Sequence, residues 1–285
     1  MAEILKGAPV TEAMNAKMSA DVAALKEAGA IPTLAILRVG ERPDDLSYER
    51  GAMKRCEKVG VAVRQVILPG DVSQEDFDRA LTALNEDAAV HGILMLRPLP
   101  KHLDNERARQ MLAPEKDVDG CTDASLAGVF TNSGTGFPPC TAQAAMEILH
   151  FYGIDPKGKK AAVIGRSLVV GRPMAMMLMH ENATVVNLHT RTVDPAAIAR
   201  KADILIAACG QLRAVDRSYT HPDQVIVDVG INWDEAAGHI AGDVDFEAVA
   251  PYVKALTPVP GGVGAVTTGV LVSHVVEAAR RAAKR

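Results

Sequence analysis

The chain has 285 residues, of which 48% are hydrophobic and 23% charged, enough for one large core or two ordinary domains. A net charge of −4 and only 4% aromatic residues exclude the basic, aromatic-rich surface of a nucleic-acid-binding protein. No apolar run of about 18 residues indicates a membrane span, and no basic leader precedes an apolar segment. We therefore expect a soluble, cytoplasmic protein with a small-molecule partner.

The cysteines give no sign of a disulfide framework or a metal centre. Cys56, Cys121, Cys140 and Cys209 lie far apart in the sequence. They form no Cys-x-x-Cys pair, and no histidine stands near them at the spacing of a zinc site. We expect reduced, mostly buried thiols and no metal.

Apolar residues at helical spacing between residues 10 and 25 predict an amphipathic helix. Strand patterns alternating with helices follow it, and the alternation resumes after the Pro/Gly-rich stretch NSGTGFPPC. Because this alternation builds parallel sheets, we predict an α/β fold with two domains. The predicted strands are, in chain order, PTLAILRVG, VAVRQVIL, HGILMLRPLP, KKAAVIG, ATVVNLH, DILIAAC and QVIVDVG.

We place the first domain at residues 1–119 and the second at residues 120–266. The segment that follows, TTGVLVSHVVEAARRAAKR, predicts an amphipathic helix over residues 267–285. Its last turns are basic, which suits the negative end of a helix dipole. We expect this helix to pack back on the first domain.

A glycine-bearing turn connects one predicted strand to the next helix. The strand AAVIG runs directly into GRSLVVGRP, residues 165–173. Such a turn leaves backbone N–H groups at a helix N-terminus, where a phosphate can bind. Gly165 and Ser167 fill the first two glycine positions of a dinucleotide-binding turn, whereas Gly171 comes one residue late. The motif alone leaves an ordinary strand-to-helix loop as the alternative.

The end of the following strand, NLHTRT, favours NADP over NAD. NAD sites usually carry Asp or Glu there, about 20 residues after the turn, to bind the ribose 2′-hydroxyl. Thr190 and Arg191, together with Arg166, offer a hydroxyl and two guanidinium groups instead, which suit a 2′-phosphate. The alternative is that Arg191 is a solvated loop residue.

Two further segments combine polar or flexible residues in a way that suits a ligand site. EKDVDGCT places Asp117 and Asp119 ahead of a glycine, and TPVPGGVGAVTTG joins a stiff Pro-Val-Pro to a glycine-rich helix start. Aspartates in loops more often form capping turns, and glycine-rich segments are often linkers. Glycines at a helix start also allow a ligand to approach the backbone closely.

Together with DVGIN and GDVDF, these motifs resemble the methylenetetrahydrofolate dehydrogenase/cyclohydrolase family over nearly the whole chain. KDVDG, GRSxxVGRP and PVPGGVG occur in the family's order and at its spacing. The resemblance implies a homodimer in which an N-terminal folate domain and a Rossmann-like NADP-binding domain flank a cleft. It also implies oxidation of 5,10-methylenetetrahydrofolate to 5,10-methenyltetrahydrofolate, which most members then hydrolyse to 10-formyltetrahydrofolate.

The resemblance also implies roles for individual residues. It places Asp119 at the pterin, whose 2-amino-pyrimidinone edge can donate two parallel hydrogen bonds to a carboxylate. The backbone from Pro260 to Gly264, including Gly261 and Gly262, would border the folate. The residues it implies at NADP are Gly165, Arg166, Ser167, Thr190 and Ile231.

The chain departs from the family where hydrolysis is concerned. The family uses a lysine four residues after a tyrosine, tuned by a glutamine in the strand that ends in PLP. Here Tyr48 keeps the tyrosine position, and we expect it and Asp119 to be the catalytic candidates. Ala52 stands four residues later, and Leu96 stands at the glutamine position, where we expect it to border the substrate. At about 100° per residue, Lys54 lies about 120° from Tyr48 around the helix.

We therefore predict an intact dehydrogenase whose cyclohydrolase activity is lost, greatly reduced, or moved to another base such as Arg50, Lys54 or Arg97. Arginine transfers protons poorly because it stays protonated throughout the physiological range. Two other interpretations remain open: an oxidoreductase of the same fold for another small substrate, and a non-catalytic folate- or NADP-binding protein.

Overall fold

The computed structural model describes residues 2–284. In this range no helix is long and apolar enough to cross a bilayer. The strands are β1 (Glu3–Ile4), β2 (Thr33–Val39), β3 (Ala62–Leu68), β4 (Gly92–Met95), β5 (Lys160–Ile164), β6 (Thr184–Leu188), β7 (Ile204–Ala207), β8 (Val225–Asp228), β9 (Asn232–Asp234), β10 (His239–Ala241) and β11 (Ala255–Leu256). The α-helices are α1 (Gly7–Glu27), α2 (Pro43–Val59), α3 (Gln74–Glu86), α4 (Asn105–Met111), α5 (Asp123–Thr131), α6 (Cys140–Phe151), α7 (Gly171–His180), α8 (Pro195–Ala199), α9 (Phe246–Val249) and α10 (Val263–Ala282).

The chain divides into two compact units. The small-sheet unit contains Ala13–Cys140 and the residues after Thr267, and the large-sheet unit contains Thr141–Thr267 and the residues before Ala13. Residues 120–140, which the sequence analysis assigns to the second domain, group with the small-sheet unit. The reason is local, because the Asp117 carboxylate accepts hydrogen bonds from the backbone N–H groups of residues 121 and 122 at 3.0 and 2.8 Å.

The small-sheet unit is built on three parallel strands in the order β3-β2-β4. The central strand β2 is buried on both faces, which explains why its sequence is an almost unbroken apolar run. Ala35, Leu37 and Val39 of β2 pack in one core cluster with Phe77 and Leu81 of α3. The part of α10 after Thr267 belongs to this unit, and its Arg280 pairs with Asp21 of α1 at 3.0 Å.

The large-sheet unit is built on six parallel strands in the order β1-β11-β8-β7-β5-β6. The strands β7 and β8 are buried along their whole length, and β5 after its first residue. Both units are therefore parallel α/β structures, and the predicted fold class is confirmed. In a parallel sheet all carboxyl ends lie on one edge, so the loops after β5, β6 and β7 meet at the same side of this sheet.

Candidate active site

A cavity of about 330 Å³ lies at the carboxyl edge of the large sheet. Of the predicted cofactor residues, Gly165, Arg166, Ser167 and Thr190 all line it, so the structure brings together the loops that follow β5 and β6. Residues of the loop after β7, including Cys209 and Gln211, complete the lining on the remaining side. The position matches the place where open parallel sheets bind their ligands.

The turn between β5 and α7 is packed so tightly that only glycine fits at its end. A Cβ on Gly171 would lie 2.1 Å from the carbonyl oxygen of Gly165 and 2.7 Å from the backbone nitrogen of Arg166. The Ser167 hydroxyl accepts a hydrogen bond from the backbone N–H of Val170 at 3.1 Å and so closes the turn. Close backbone approach at a helix N-terminus suits a bound phosphate.

Two predicted cofactor residues lie outside the cavity lining. Arg191 follows Thr190 directly and is exposed, with its backbone N–H donating to His189 Nδ1 at 3.2 Å. Ile231 is 64% exposed in the loop after β8. A Cβ on Gly264 would be 3.6 Å from Ile231 Cδ1, so Ile231 lies near the start of α10.

Two buried aspartates that sequence reasoning did not assign hold the loop after β7. The Asp243 carboxylate accepts hydrogen bonds from the backbone N–H groups of Cys209, Gly210 and Gln211 at 2.6, 2.9 and 2.9 Å. Asp228 in turn accepts from the backbone N–H of Asp243 at 3.1 Å. The motifs GDVDF and DVGIN contain these residues, but their spacing alone does not reveal which loop they support.

Burial raises the pKa of Asp228 to about 7, against the opposing effect of three backbone N–H donors. The donors belong to Val244, Asp243 and Gly230. A carboxyl group in this environment binds a proton more readily than in water, because the interior stabilises its charged form less well.

The loop before α5 separates a structural aspartate from a functional candidate. Asp117 is fully buried and accepts a third hydrogen bond from the Ser125 hydroxyl at 2.6 Å, besides the two backbone donors. It is the capping residue of this turn. Asp119 is two residues further along and takes no part in that capping, so its carboxylate remains available at the candidate substrate site.

In the small-sheet unit, the electrostatic surroundings of Asp119 include Tyr48, Arg97 and Cys140. Desolvation raises the pKa of Asp119 to about 6, with a further rise from Asp117 and opposing effects of Arg97 and the Cys140 thiol. Desolvation also raises the pKa of Tyr48 above its ordinary value, with smaller contributions from Asp119 and Cys140. At neutral pH this part of the unit therefore contains an ionised carboxylate beside a neutral phenol.

The helix α2 presents alanine, and not lysine, on its buried side. Ala52 is fully buried, whereas Arg50 and Lys54 are exposed and line a surface groove with Glu57. Leu96, at the glutamine position after β4, is 5% exposed.

An ion pair that the sequence analysis missed also lies under α2. Glu49 accepts a hydrogen bond from Arg38 Nε at 2.8 Å and from Gln65 Nε2 at 2.6 Å, and both members of the ion pair are almost completely buried. The only sequence signal is an arginine inside the apolar strand PTLAILRVG. Because Glu49 is next to Tyr48, the pair fixes the helix turn that carries the tyrosine.

Pro260, Gly261 and Gly262 belong to the large-sheet unit and directly precede α10. The Gly261 carbonyl oxygen accepts the backbone N–H of Gly7 at 2.8 Å. A Cβ on Gly262 would lie 2.4 Å from the Pro258 carbonyl oxygen, so this turn cannot accept a side chain there without moving. Within residues 2–284 no group of three potential metal ligands occurs.

Known proteins resemble this chain over its whole length. It is 50% identical to the bifunctional protein FolD of Carboxydothermus hydrogenoformans over 279 residues, which cover 98% of this chain and 97% of that protein. It superimposes with a TM-score of 0.95 on the bifunctional FolD of Campylobacter jejuni, at 35% identity and 99% coverage of both chains. The Trypanosoma brucei dehydrogenase-cyclohydrolase, solved with NADP and an inhibitor, gives a TM-score of 0.92 at 33% identity, covering 100% of this chain and 99% of its own.

Family models match both parts of the chain. The model described as the catalytic domain of tetrahydrofolate dehydrogenase/cyclohydrolase matches residues 5–119. The model of the NAD(P)-binding domain of the same enzymes matches residues 139–283 and contains the cavity described above. With these matches and the relative at 50% identity, the chain belongs to the tetrahydrofolate dehydrogenase/cyclohydrolase family.

Proposed function

We propose that this protein oxidises 5,10-methylenetetrahydrofolate to 5,10-methenyltetrahydrofolate with NADP, and that it hydrolyses the product poorly or not at all. The observation that carries the second part is the fully buried alanine at position 52, one helical turn after Tyr48. In the family pattern a lysine occupies this position. Its glutamine partner is also absent, because Leu96 stands in its place.

The dehydrogenase half needs positioning more than acid–base catalysis. As hydride leaves the methylene carbon, the lone pairs of the two flanking nitrogens stabilise the resulting cation. Asp119, ionised at neutral pH, would hold the pterin edge by two hydrogen bonds, and Tyr48 and Leu96 would border the ring system. The backbone of Pro260, Gly261 and Gly262 would contact the same substrate.

The cofactor half follows from the cavity in the large-sheet unit. The backbone N–H groups of Gly165, Arg166 and Ser167 would hold the pyrophosphate. Because Gly171 has no side chain, the turn can keep the tight shape that presents these N–H groups to the phosphate. Thr190 and Arg191 would bind the 2′-phosphate, and the family resemblance places Ile231 at NADP as well. When bound, NADP accepts the hydride on its nicotinamide ring.

Hydrolysis requires a group that is positioned to accept and donate a proton, and the candidate bases of this chain are poorly suited to that role. Water must attack the methenyl carbon, and a proton must reach the departing nitrogen. Arg50 and Lys54 lie on the exposed side of α2, away from buried Ala52. Arg97 lies close enough to lower the pKa of Asp119, but a guanidinium does not release its proton at neutral pH.

The test measures both reactions in one preparation and then introduces the family's lysine and glutamine at positions 52 and 96. We expect NADPH formation from methylenetetrahydrofolate, and hydrolysis of methenyltetrahydrofolate near the uncatalysed rate. The double variant A52K/L96Q is expected to gain at least about 100-fold in hydrolysis, the usual value of a positioned general acid–base group. Lys54→Ala is the matched control, because this exposed residue is expected to leave both rates unchanged.

Each outcome separates the alternatives. If the wild-type protein hydrolyses methenyltetrahydrofolate as fast as it oxidises methylenetetrahydrofolate, the proposed loss of cyclohydrolase activity is wrong. In that case Arg97→Leu shows whether Arg97, which influences the pKa of Asp119, is responsible. If no NADPH forms although methylenetetrahydrofolate raises the melting temperature, the protein binds folate without turnover.

We also infer from the family resemblance that the protein is a cytoplasmic homodimer.

A further inference from the structure

A single buried carboxylate, that of Asp243, binds two separate segments of the candidate cofactor site. Its Oδ2 accepts the backbone N–H groups of Cys209 and Gly210 at 2.6 and 2.9 Å. Its Oδ1 accepts the backbone N–H of Gln211 and the Nδ2 group of Asn232, each at 2.9 Å. Cys209 and Gln211 line the cavity, whereas Asn232 is the first residue of β9.

The carboxylate of Asp243 has no acceptor position left for another donor. A carboxylate offers about four lone-pair sites, and here four N–H donors occupy them. Asp243 is fully buried, so water has no access to replace one of these donors. An N–H group that loses its acceptor in such surroundings costs more free energy than the bond itself contributes. The position of the loop after β7 therefore depends on this one side chain.

A second carboxyl group fixes the segment that carries Asp243. Asp228, at the end of β8, accepts the backbone N–H groups of Asp243 and Val244 at 3.1 and 2.9 Å. A Cβ on Gly230 would overlap the carboxyl carbon of Asp243, and a Cβ on Gly242 would overlap Oδ2 of Asp228. Because the two glycines leave room for nothing but these carboxyl groups, the Asp243 side chain cannot move aside.

Asn232 connects this network to the other proposed cofactor contact. It pairs with Ala241 in the β9–β10 hairpin, which places it beside the chain segment that leads to Asp243. It also directly follows Ile231, which the family resemblance assigns to NADP. One carboxylate thus holds both the loop after β7 and the residue next to Ile231, so the spacing between these two segments depends on it.

We propose that Asp243 is a positioning residue for the cofactor: it holds the cavity wall formed by residues 209–211 and the segment of Ile231 in the arrangement in which both contact NADP. The inference rests on the proposed function, which assigns NADP to this cavity. A wall that leaves this arrangement lowers the apparent affinity in proportion to the fraction of molecules that keep it. The effect of Asp243 is therefore expected on the affinity for NADP and not on the hydride transfer itself.

The test replaces Asp243 by asparagine, which keeps the shape and exchanges one acceptor oxygen for an N–H donor group. We expect KM and Kd for NADP to rise at least about tenfold, because buried N–H groups of the wall then lose their acceptor. At saturating NADP, kcat and the folate KM should stay within about twofold of wild type, since the bound cofactor selects the competent arrangement. Initial rates give KM, and isothermal titration calorimetry with NADP gives Kd.

Asp245→Asn is the matched control, because it makes the same change at the other aspartate of the GDVDF motif. Asp245 caps α9 by accepting the backbone N–H of Ala248 at 3.3 Å and is not part of the cavity lining. We expect this variant to keep the wild-type Kd for NADP. Calorimetry also separates positioning from a packing defect, since a misfolded fraction lowers the number of binding sites per chain and leaves the Kd of the remaining sites unchanged.

Asn232 offers a second pair of variants that keeps the three backbone hydrogen bonds of Asp243. Asn232→Ala removes the donor together with the amide oxygen, whereas Asn232→Asp keeps an oxygen but places a second carboxylate against Asp243. We expect Asn232→Ala to raise Kd for NADP about threefold, as for loss of one hydrogen bond, and Asn232→Asp to raise it more. This pair decides the matter if Asp243→Asn fails to fold, and a wild-type Kd in Asn232→Asp would contradict the proposed link.

An unchanged Kd in well-folded Asp243→Asn, or an equal rise in Asp245→Asn, would overturn the inference. Gly171→Ala, in the turn after β5, distinguishes this from failure of the proposed function. If Gly171→Ala weakens NADP binding and Asp243→Asn does not, only the role of Asp243 is wrong. If neither variant changes the Kd, or if the wild-type protein binds no NADP, the assignment of NADP to this cavity fails and the inference with it.

Discussion

In the proposed site we assign the selection between NADP and NAD to Arg191. It directly follows Thr190 of the cavity lining and is exposed, so its guanidinium is free to meet a phosphate. No carboxylate stands between Leu188 and Val193 to hold an unmodified ribose. We expect Arg191→Ala to raise KM for NADP about tenfold, since an exposed charge-assisted contact is lost, and to leave KM for NAD unchanged.

The control for this prediction is Lys201→Ala, which removes an exposed positive charge elsewhere in the same unit. It separates a specific phosphate contact from a general loss of positive potential. Initial-rate measurements with both nicotinamides at fixed salt are sufficient. A parallel loss with NADP and NAD would show that Arg191 supports the loop and does not recognise the 2′-phosphate.

The turn between β5 and α7 acts as one element, because its shape depends on a glycine at its far end. A methyl group at residue 171 would lie 2.1 Å from the Gly165 oxygen, which no side-chain rotation can relieve. We therefore expect Gly171→Ala to displace the turn and raise KM for NADP by at least tenfold. We expect the variant still to be stabilised by methylenetetrahydrofolate, because the proposed folate contacts Asp119 and Tyr48 lie in the other unit and the contacts from Pro260 to Gly262 lie outside this turn.

Gly70→Ala is a suitable control, since the nearest atom to its added methyl is 3.8 Å away. Circular dichroism of both variants distinguishes a displaced turn from a loss of folding. An unchanged KM for NADP in well-folded Gly171→Ala would mean that the proposed phosphate contacts do not depend on this turn.

The long elements could be predicted because their signals are local. Buried parallel strands such as β2 and β8 are continuous apolar runs, and the Ser73 hydroxyl caps α3 by accepting the backbone N–H of Asp76 at 3.1 Å. Short elements have no such periodicity. The helix α4 is seven residues long and is marked only by its cap, Asp104, while α5 depends on the buried Asp117 network.

The candidate site could be predicted only in part, because some of its contacts join residues that are far apart in the sequence. The glycine turn and Thr190 are recognisable as a motif, and the structure places them around one cavity. The supporting contacts join residues far apart in sequence, as when Asp243 binds the backbone of Cys209, 34 residues away. No spacing rule reveals such pairs, because the parallel sheet, and not the helix or strand period, brings them together.

At the scale of the whole molecule, buried ionisable groups make stability depend on pH in opposite directions. Burial raises the pKa of Asp228 to about 7 and that of Asp119 to about 6, so the native state holds protons that the unfolded chain has released above about pH 4. These two groups therefore lower stability as the pH rises. Burial lowers the pKa of His274 from its ordinary value of about 6.5 to about 4, so this residue has the opposite effect.

His274→Asn isolates the histidine contribution from the two aspartates. Between about pH 4 and 6.5 the unfolded chain binds a proton at His274 that the native protein does not, so native stability from this residue increases with pH. The difference in unfolding free energy between wild type and His274→Asn should thus grow through this window, by at most about 1.4 kcal/mol per pH unit, and become constant above it. Urea denaturation of both proteins at pH 4.5, 5.5, 6.5 and 7.5, roughly one unit apart, measures this difference. A difference that stays constant from the most acidic sample onward would show that His274 is not held neutral by burial, because asparagine carries no proton to compensate.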